Sequence, residues 1–125
     1  MDSKYMLLID DKECYIPESI IQYLGEDNFN ILLNDIEDQK KYEILKRLDS
    51  LFSNYVTMSA DDKYFKGRGI ELGSLTFFAK KFAEKGDYAK ANNQLYKSIK
   101  TFYDIHERCL EDEKEIKSQN QGMKV

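Results

Sequence analysis

Residues 75–98 read LTFFAKKFAEKGDYAKANNQLYKS, and this stretch decides the fold. Apolar residues at 70, 72, 75, 77, 78, 79, 82 and 83 predict a helix from Ile70 to Lys85. Gly86 supplies a stop, and Asp87 a cap for the next helix. A second stripe then runs through Tyr88, Ala91, Leu95, Ile99, Phe102, Ile105 and Cys109 and extends towards Ile116. Two helices joined by so tight a turn must lie antiparallel. At 1.5 Å per residue the second would span roughly 40 Å. Its last turns, with Glu111, Asp112, Glu113 and Glu115, are expected to project or fray.

Working towards the N-terminus, Val56 to Gly69 is expected to be irregular, with Tyr64 and Phe65 as aromatic residues in a polar stretch that pin it to the core, a binding role being the sharper alternative. Ile44, Leu45, Leu48, Leu51, Phe52 and Tyr55 form the stripe of an amphipathic helix ending near Tyr55. Phe29, Leu32, Leu33 and Ile36 form another. The two stripes would join if position 40 were apolar. Lys40 stands there, so the helix is expected to break near Glu37, with Asp27 and Asp38 as caps. Pro17 starts a short helix carrying Ile20, Ile21 and Leu24, and Gly25 ends it. Before it, Tyr5–Ile9 and Cys14–Ile16 flank Asp10, Asp11 and Lys12, a pattern that allows a small β-hairpin. The expected fold is therefore mainly α, a compact bundle of four or five helices with a possible short N-terminal hairpin. A single helical domain should occupy residues 1–117, with 118–125 as a disordered tail.

Composition agrees. The 125-residue chain is 42% apolar and 34% charged, with one Pro and no Trp. That is one soluble domain, long enough to bury a core without metal or disulfide. No apolar run approaches the length that crosses a bilayer. The start Met1-Asp2-Ser3-Lys4 leads into a short apolar run and does not read as a secretory leader. With Cys14 and Cys109 as the two cysteines, the expectation is a reducing, cytoplasmic setting with free thiols.

Catalytic chemistry finds little support. His106 is the only histidine, and no paired Cys or His spacing suggests zinc. Lys66-Gly67-Arg68-Gly69 lacks the spacing of a phosphate-binding loop. Cys109 lies one helical turn after His106, but no third group orients the pair. No cofactor and no enzyme activity are expected.

Charge is uneven: residues 1–40 carry net −7, residues 41–110 net +4 and residues 111–125 net −1. Two surfaces follow as candidates. Asp10, Asp11 and Glu13, with the aromatic Tyr64, Phe65, Tyr96 and Tyr103, could meet another protein, one with a basic surface. Lys63, Lys66, Arg68, Lys90, Lys97 and Lys100 could meet phosphate, as in nucleic-acid binding. Solvated faces are the plainer reading of both. The amphipathic helices also leave homo-oligomerisation open. The favoured function is a small non-catalytic interaction module of the inhibitor, immunity, adaptor or regulatory type, and the alternative is nucleic-acid binding.

The stretch from Leu75 to Ser98 resembles a tetratricopeptide repeat. Leu75, Phe78, Ala79 and Phe82 match its first helix, Gly86, Asp87 and Tyr88 its turn, and Ala91, Leu95 and Ser98 its second helix. Small Ala79, Ala91 and Ser98 would let the two helices approach closely. The family's proline beyond the second helix is absent; Tyr103 stands there. One copy is present where an array needs several. The resemblance implies peptide or protein binding. The hairpin also looks like parts of the HEPN helical bundles, but their ribonuclease signature, Arg-x4–6-His, is missing at His106, where Arg108 follows the histidine instead.

Overall fold

A computed structural model describes residues 4–34 and 36–123, with side chains as far as Glu113. The chain starts with a β-hairpin, β1 (Met6–Ile9) against β2 (Lys12–Tyr15), in the register Leu7↔Cys14 and Ile9↔Lys12. Leu7, Ile9 and Cys14 face inward, and Leu8 and Glu13 outward, as the two-residue period requires. Asp10 and Asp11 form the turn with φ of 51° and 65°. Both values are positive, as in the mirror-image turn that matches the twist of a two-strand ribbon. Aspartate tolerates this conformation better than most side chains.

Five α-helices follow among the described residues: α1 (Glu18–Leu24), α2 (Glu26–Leu33), α3 (Asp38–Ser59), α4 (Gly69–Glu84) and α5 (Tyr88–Met123). A mainly α bundle with an N-terminal hairpin is what the hydrophobic patterning calls for. Gly25 ends α1 and begins α2: its N–H donates to the Ile21 carbonyl (2.7 Å), and its own carbonyl accepts from Phe29 (3.1 Å). It does so at φ +96°, which only glycine adopts without strain. The expected cap at Asp27 is therefore corrected, because α2 starts two residues earlier, capped by Gly25. The next break falls between Leu33 and Asp38, near the expected Glu37. Lys40 lies within the first turn of α3, and the expected cap at Asp38 is corrected, because Asp38 is the first helical residue and Glu37 holds the cap position. The stretch from Val56 onward is more regular than expected. Helix α3 continues to Ser59, whose hydroxyl donates to the Tyr55 carbonyl (2.8 Å), and a 3-10 turn spans Asp62–Phe65.

At the α4–α5 turn Gly86 has φ +80°, and the Asp87 N–H donates to the Phe82 carbonyl (2.9 Å). Asp87 Oδ1 accepts from the Lys90 N–H (3.2 Å), so it caps α5 as expected. Helix α5 has 36 residues. Its backbone is helical through Met123, well into the segment expected to be a disordered tail; residues 124 and 125 lie outside the described residues.

Helix α5 is the centre of the bundle. Three contacts set the direction of α3 on it: Asn92 Nδ2 donates to the Asp38 carbonyl (3.0 Å), Ser98 Oγ donates to Asp49 Oδ1 (2.6 Å), and Cys109 Sγ lies 3.9 Å from the Ser59 carbonyl oxygen. Positions rise together along both helices, so α3 and α5 are parallel, and α4 is the antiparallel return between them. Leu45, Leu48, Phe52 and Val56 of α3 interlock with Ala91, Leu95, Ile99 and Ile105 of α5, all buried. Helices α1 and α2 close the far side of α3 with Ile20, Ile21, Leu24, Phe29 and Leu32. The hairpin lies on α5.

One packing expectation changes: Ser98 faces α3, where its hydroxyl donates to Asp49, rather than serving the α4–α5 approach. At Gly73 of α4 a Cβ would meet nothing within 4 Å.

Candidate functional site

The residues expected to face two different partners turn out to face each other. Lys12 of β2 forms a hydrogen-bonded ion pair with Asp104 of α5, and its Nζ lies 3.0 Å from Glu107 Oε1. Its ammonium also sits over the Tyr103 ring, 5.4 Å from the centroid. Asp10 of the turn approaches Lys100 of α5 at 4.0 Å. Two candidates from opposite sets, Asp10 and Lys100, thus lie in one strip of alternating charge that seats the hairpin on α5. The carboxylates of Asp104 and Glu107 hold the Lys12 ammonium well above the ordinary lysine range. Glu13 stays on the outer face of the hairpin, where it accepts from the Tyr15 hydroxyl (2.6 Å), and Asp11 is exposed.

The aromatic candidates are corrected. Tyr64 and Tyr103 are buried, and Phe65 and Tyr96 are half-buried against the core. Tyr64 pins the 3-10 turn to α5 by donating to Asp112 Oδ2 (2.6 Å), and that bond pushes its hydroxyl up to about 12. Burial pushes Tyr103 up to about 12 as well, and moves Tyr96 in the same direction. Tyr64 and Phe65 thus pin their segment to the core, as the plainer reading of them expects, and Tyr96 and Tyr103 pack inward where exposure was expected.

The lysine set is dispersed. Lys90 Nζ lies 3.8 Å from Asp87 and sits over the Phe82 ring; Lys63 sits over Tyr64. Lys66 and Lys97 are exposed, and Arg68 is partly covered at the start of α4.

Burial lowers the pKa of His106, whose ring lies edge-on to Tyr55 (5.4 Å) and Phe52 (6.5 Å). Burial raises the Cys109 thiol, and takes Cys14 up to about 11. A protonated, buried thiol is a poor nucleophile. Among the described residues no group of three or more His, Cys, Asp or Glu is placed to hold a metal ion. Among them, too, no helix is long and apolar enough to cross a membrane.

The surface that stands out is the outer side of α4. This helix packs on α5, and one of its residues, Ala79, is fully buried. Leu72, Phe82 and Ala83 flank Ala79 and are partly covered by the core. At about 100° per residue, Ile70 and Phe77 fall on the opposite side from Ala79. Ile70 is 87% exposed, Phe77 55% and Phe78 49%. The two rings meet edge to face, 5.4 Å between centroids, and Lys81 Nζ sits over Phe77 at 5.4 Å. On the other elements, large exposed apolar side chains occur singly among the described residues: Leu8, Tyr23, Leu33, Met58 and Leu110. The signal for the α4 surface was present in the sequence. Apolar residues at 70 and 77 as well as 72, 75, 79, 82 and 83 are too many for one stripe. Covering the roughly 300 Å² of apolar surface on Ile70, Phe77 and Phe78 would contribute on the order of 7 kcal/mol. Helix α4 thus carries an apolar face on each side. Compared with protein-family models, curated proteins and solved structures, the chain matches none.

Proposed function

We propose that the protein is a small non-catalytic protein-interaction module that binds through the outer face of α4. The observation that supports this is the exposure of Ile70, Phe77 and Phe78 on the side of α4 turned away from α5. Exposed apolar residues gathered on one helix face are characteristic of docking surfaces, whereas scattered ones are ordinary. The acidic N-terminal residues support a partner less well, because Asp10 already lies against Lys100. Nucleic-acid binding by the lysine set is weakened in the same way, since Lys90 and Lys100 each approach a carboxylate. The test is capture of proteins from the source lysate by the wild-type chain and by Phe77→Lys, both checked for folding by circular dichroism. The reading predicts bound proteins that survive nuclease and are lost with Phe77→Lys. Equal capture by both chains would remove α4 from the account, and loss of all bound material on nuclease treatment would favour the lysine set.

A further inference from the structure

The geometry points to a second copy of this chain as an occupant of the α4 face, bound helix to helix in antiparallel order about the middle of α4. This rests on the reading of that face as a contact surface. The face is self-complementary in shape. Between the exposed Ile70 and Phe77 the face is low: Ser74 is small, and Gly73 has open space where a Cβ would stand. Phe77 and Phe78 stand above this stretch. Antiparallel pairing lays the two rings of each copy on the low stretch of the other. It is also self-complementary in charge. In an antiparallel pair related by a two-fold axis, residues on the same flank of the contact stripe meet. Glu71 and Lys81 share one flank of the outer face, at about 100° and 20° from Ile70. They stand at equal distances from residue 76, near the centre of Gly69–Glu84. A two-fold axis through that centre sets Glu71 of each copy against Lys81 of the other, twice. The same register sets Phe78 over Ser74 of the second copy and brings the two Phe77 rings together at the axis. Parallel pairing would instead place Glu71 against Glu71 and Lys81 against Lys81. In the single chain Lys81 holds an exposed contact with Glu84 (3.7 Å), of a kind worth little. Exchanging it for Glu71 of a second copy costs little in turn.

The size of the face sets the strength. Ile70, Phe77 and Phe78 together expose on the order of 300 Å² of apolar surface per copy. Stable interfaces bury about 1,200–2,000 Å² in total. The pair is therefore weak and reversible, and its population depends on concentration.

The test is sedimentation equilibrium of the full chain from roughly 5 to 500 µM, a range that spans weak association. The mass should rise from 14.7 kDa towards that of two copies. Phe77→Lys should hold the mass at one copy. Glu71→Lys alone and Lys81→Glu alone should each weaken association by about fivefold or more, and the two together should restore it, because the pair is then merely reversed. These side chains are exposed, so the variants should fold; circular dichroism confirms it. A mass of one copy at every concentration overturns the pairing. So does a dimer indifferent to Phe77→Lys, or charge reversals that do not rescue each other. If the chain stays monomeric while Phe77→Lys still abolishes capture of another protein, the self-pairing falls and the interaction reading stands.

Discussion

Helices α3 and α4 flank the same central helix and end up with opposite fates. In α3 the apolar stripe is covered: Leu45, Leu48, Phe52 and Val56 are buried and Ile44, Leu51 and Tyr55 partly so, with α5 on one side and α1 and α2 packed on the helix as well. Its remaining face carries Glu43, Lys46, Arg47 and other polar groups. In α4 the density of apolar residues is higher, yet Ala79 is its one buried residue. The difference lies in their neighbours. Helix α3 is enclosed from two directions, whereas α4 rests on α5 and turns its other side to water. Apolar content alone does not locate a core; the number of elements available to cover a helix does.

This contrast is sharpest under truncation. Phe52→Ala should cost about 3–5 kcal/mol, because it opens a cavity in a closed core. Phe77→Ala should change monomer stability by no more than about 0.5 kcal/mol. Urea denaturation of both variants at low concentration measures the difference, and comparable losses would mean that α4 is buried after all.

A second effect comes from the one carboxylate that α3 places against α5. Burial pushes Asp49 up to about 6 although Ser98 donates to it, against about 3.8 for an ordinary aspartate. The folded chain therefore holds this proton more tightly than the unfolded chain. The stabilisation from Asp49 is present below about pH 4, declines as pH rises through about 6, and is gone near neutrality. Asp49→Asn keeps the shape and the bond from Ser98 without the charge. It should raise stability at pH 7 by about 2–3 kcal/mol and have little effect at pH 4. Denaturant melts of both proteins across this range check it; a difference independent of pH would contradict the assignment.

Smaller effects are expected at the turns. Gly25→Ala forces a side chain into φ +96° and should cost about 1–3 kcal/mol. Asp87→Ala removes the cap of α5 and should cost about 1 kcal/mol. Thermal melts resolve both, and a neutral Gly25→Ala would show that the α1–α2 junction can relax.

Much of this architecture was legible in the residues. The spacing from Ile70 to Cys109 marked the α4–α5 hairpin, Gly86 and Asp87 marked its turn, and the lapse of the apolar stripe after Ile36 marked a break near the start of α3. The turn at Asp10 and Asp11 was legible because a short apolar run stops there. Local chemistry encodes such features. The start of α2 was not legible, because Gly25 serves two helices and Asp27 offered a more conventional cap. The last turn of α3 was missed because Thr57, Met58 and Ser59 extend no apolar stripe. The candidate surface was half legible. The excess of apolar residues on α4 could be counted, but which side α5 would take depends on α1 and α2 packing against α3. Pairs such as Lys12 with Asp104 and Asp10 with Lys100 join residues far apart in sequence, and charge counts along the chain cannot foresee them.

The most direct test of α4 as a contact surface is hydrogen–deuterium exchange on the full chain at low and high concentration. The account predicts slower exchange across residues 69–84 at high concentration, with residues 38–59 unchanged. Equal exchange in both samples, or slowing centred on residues 38–59, would contradict it.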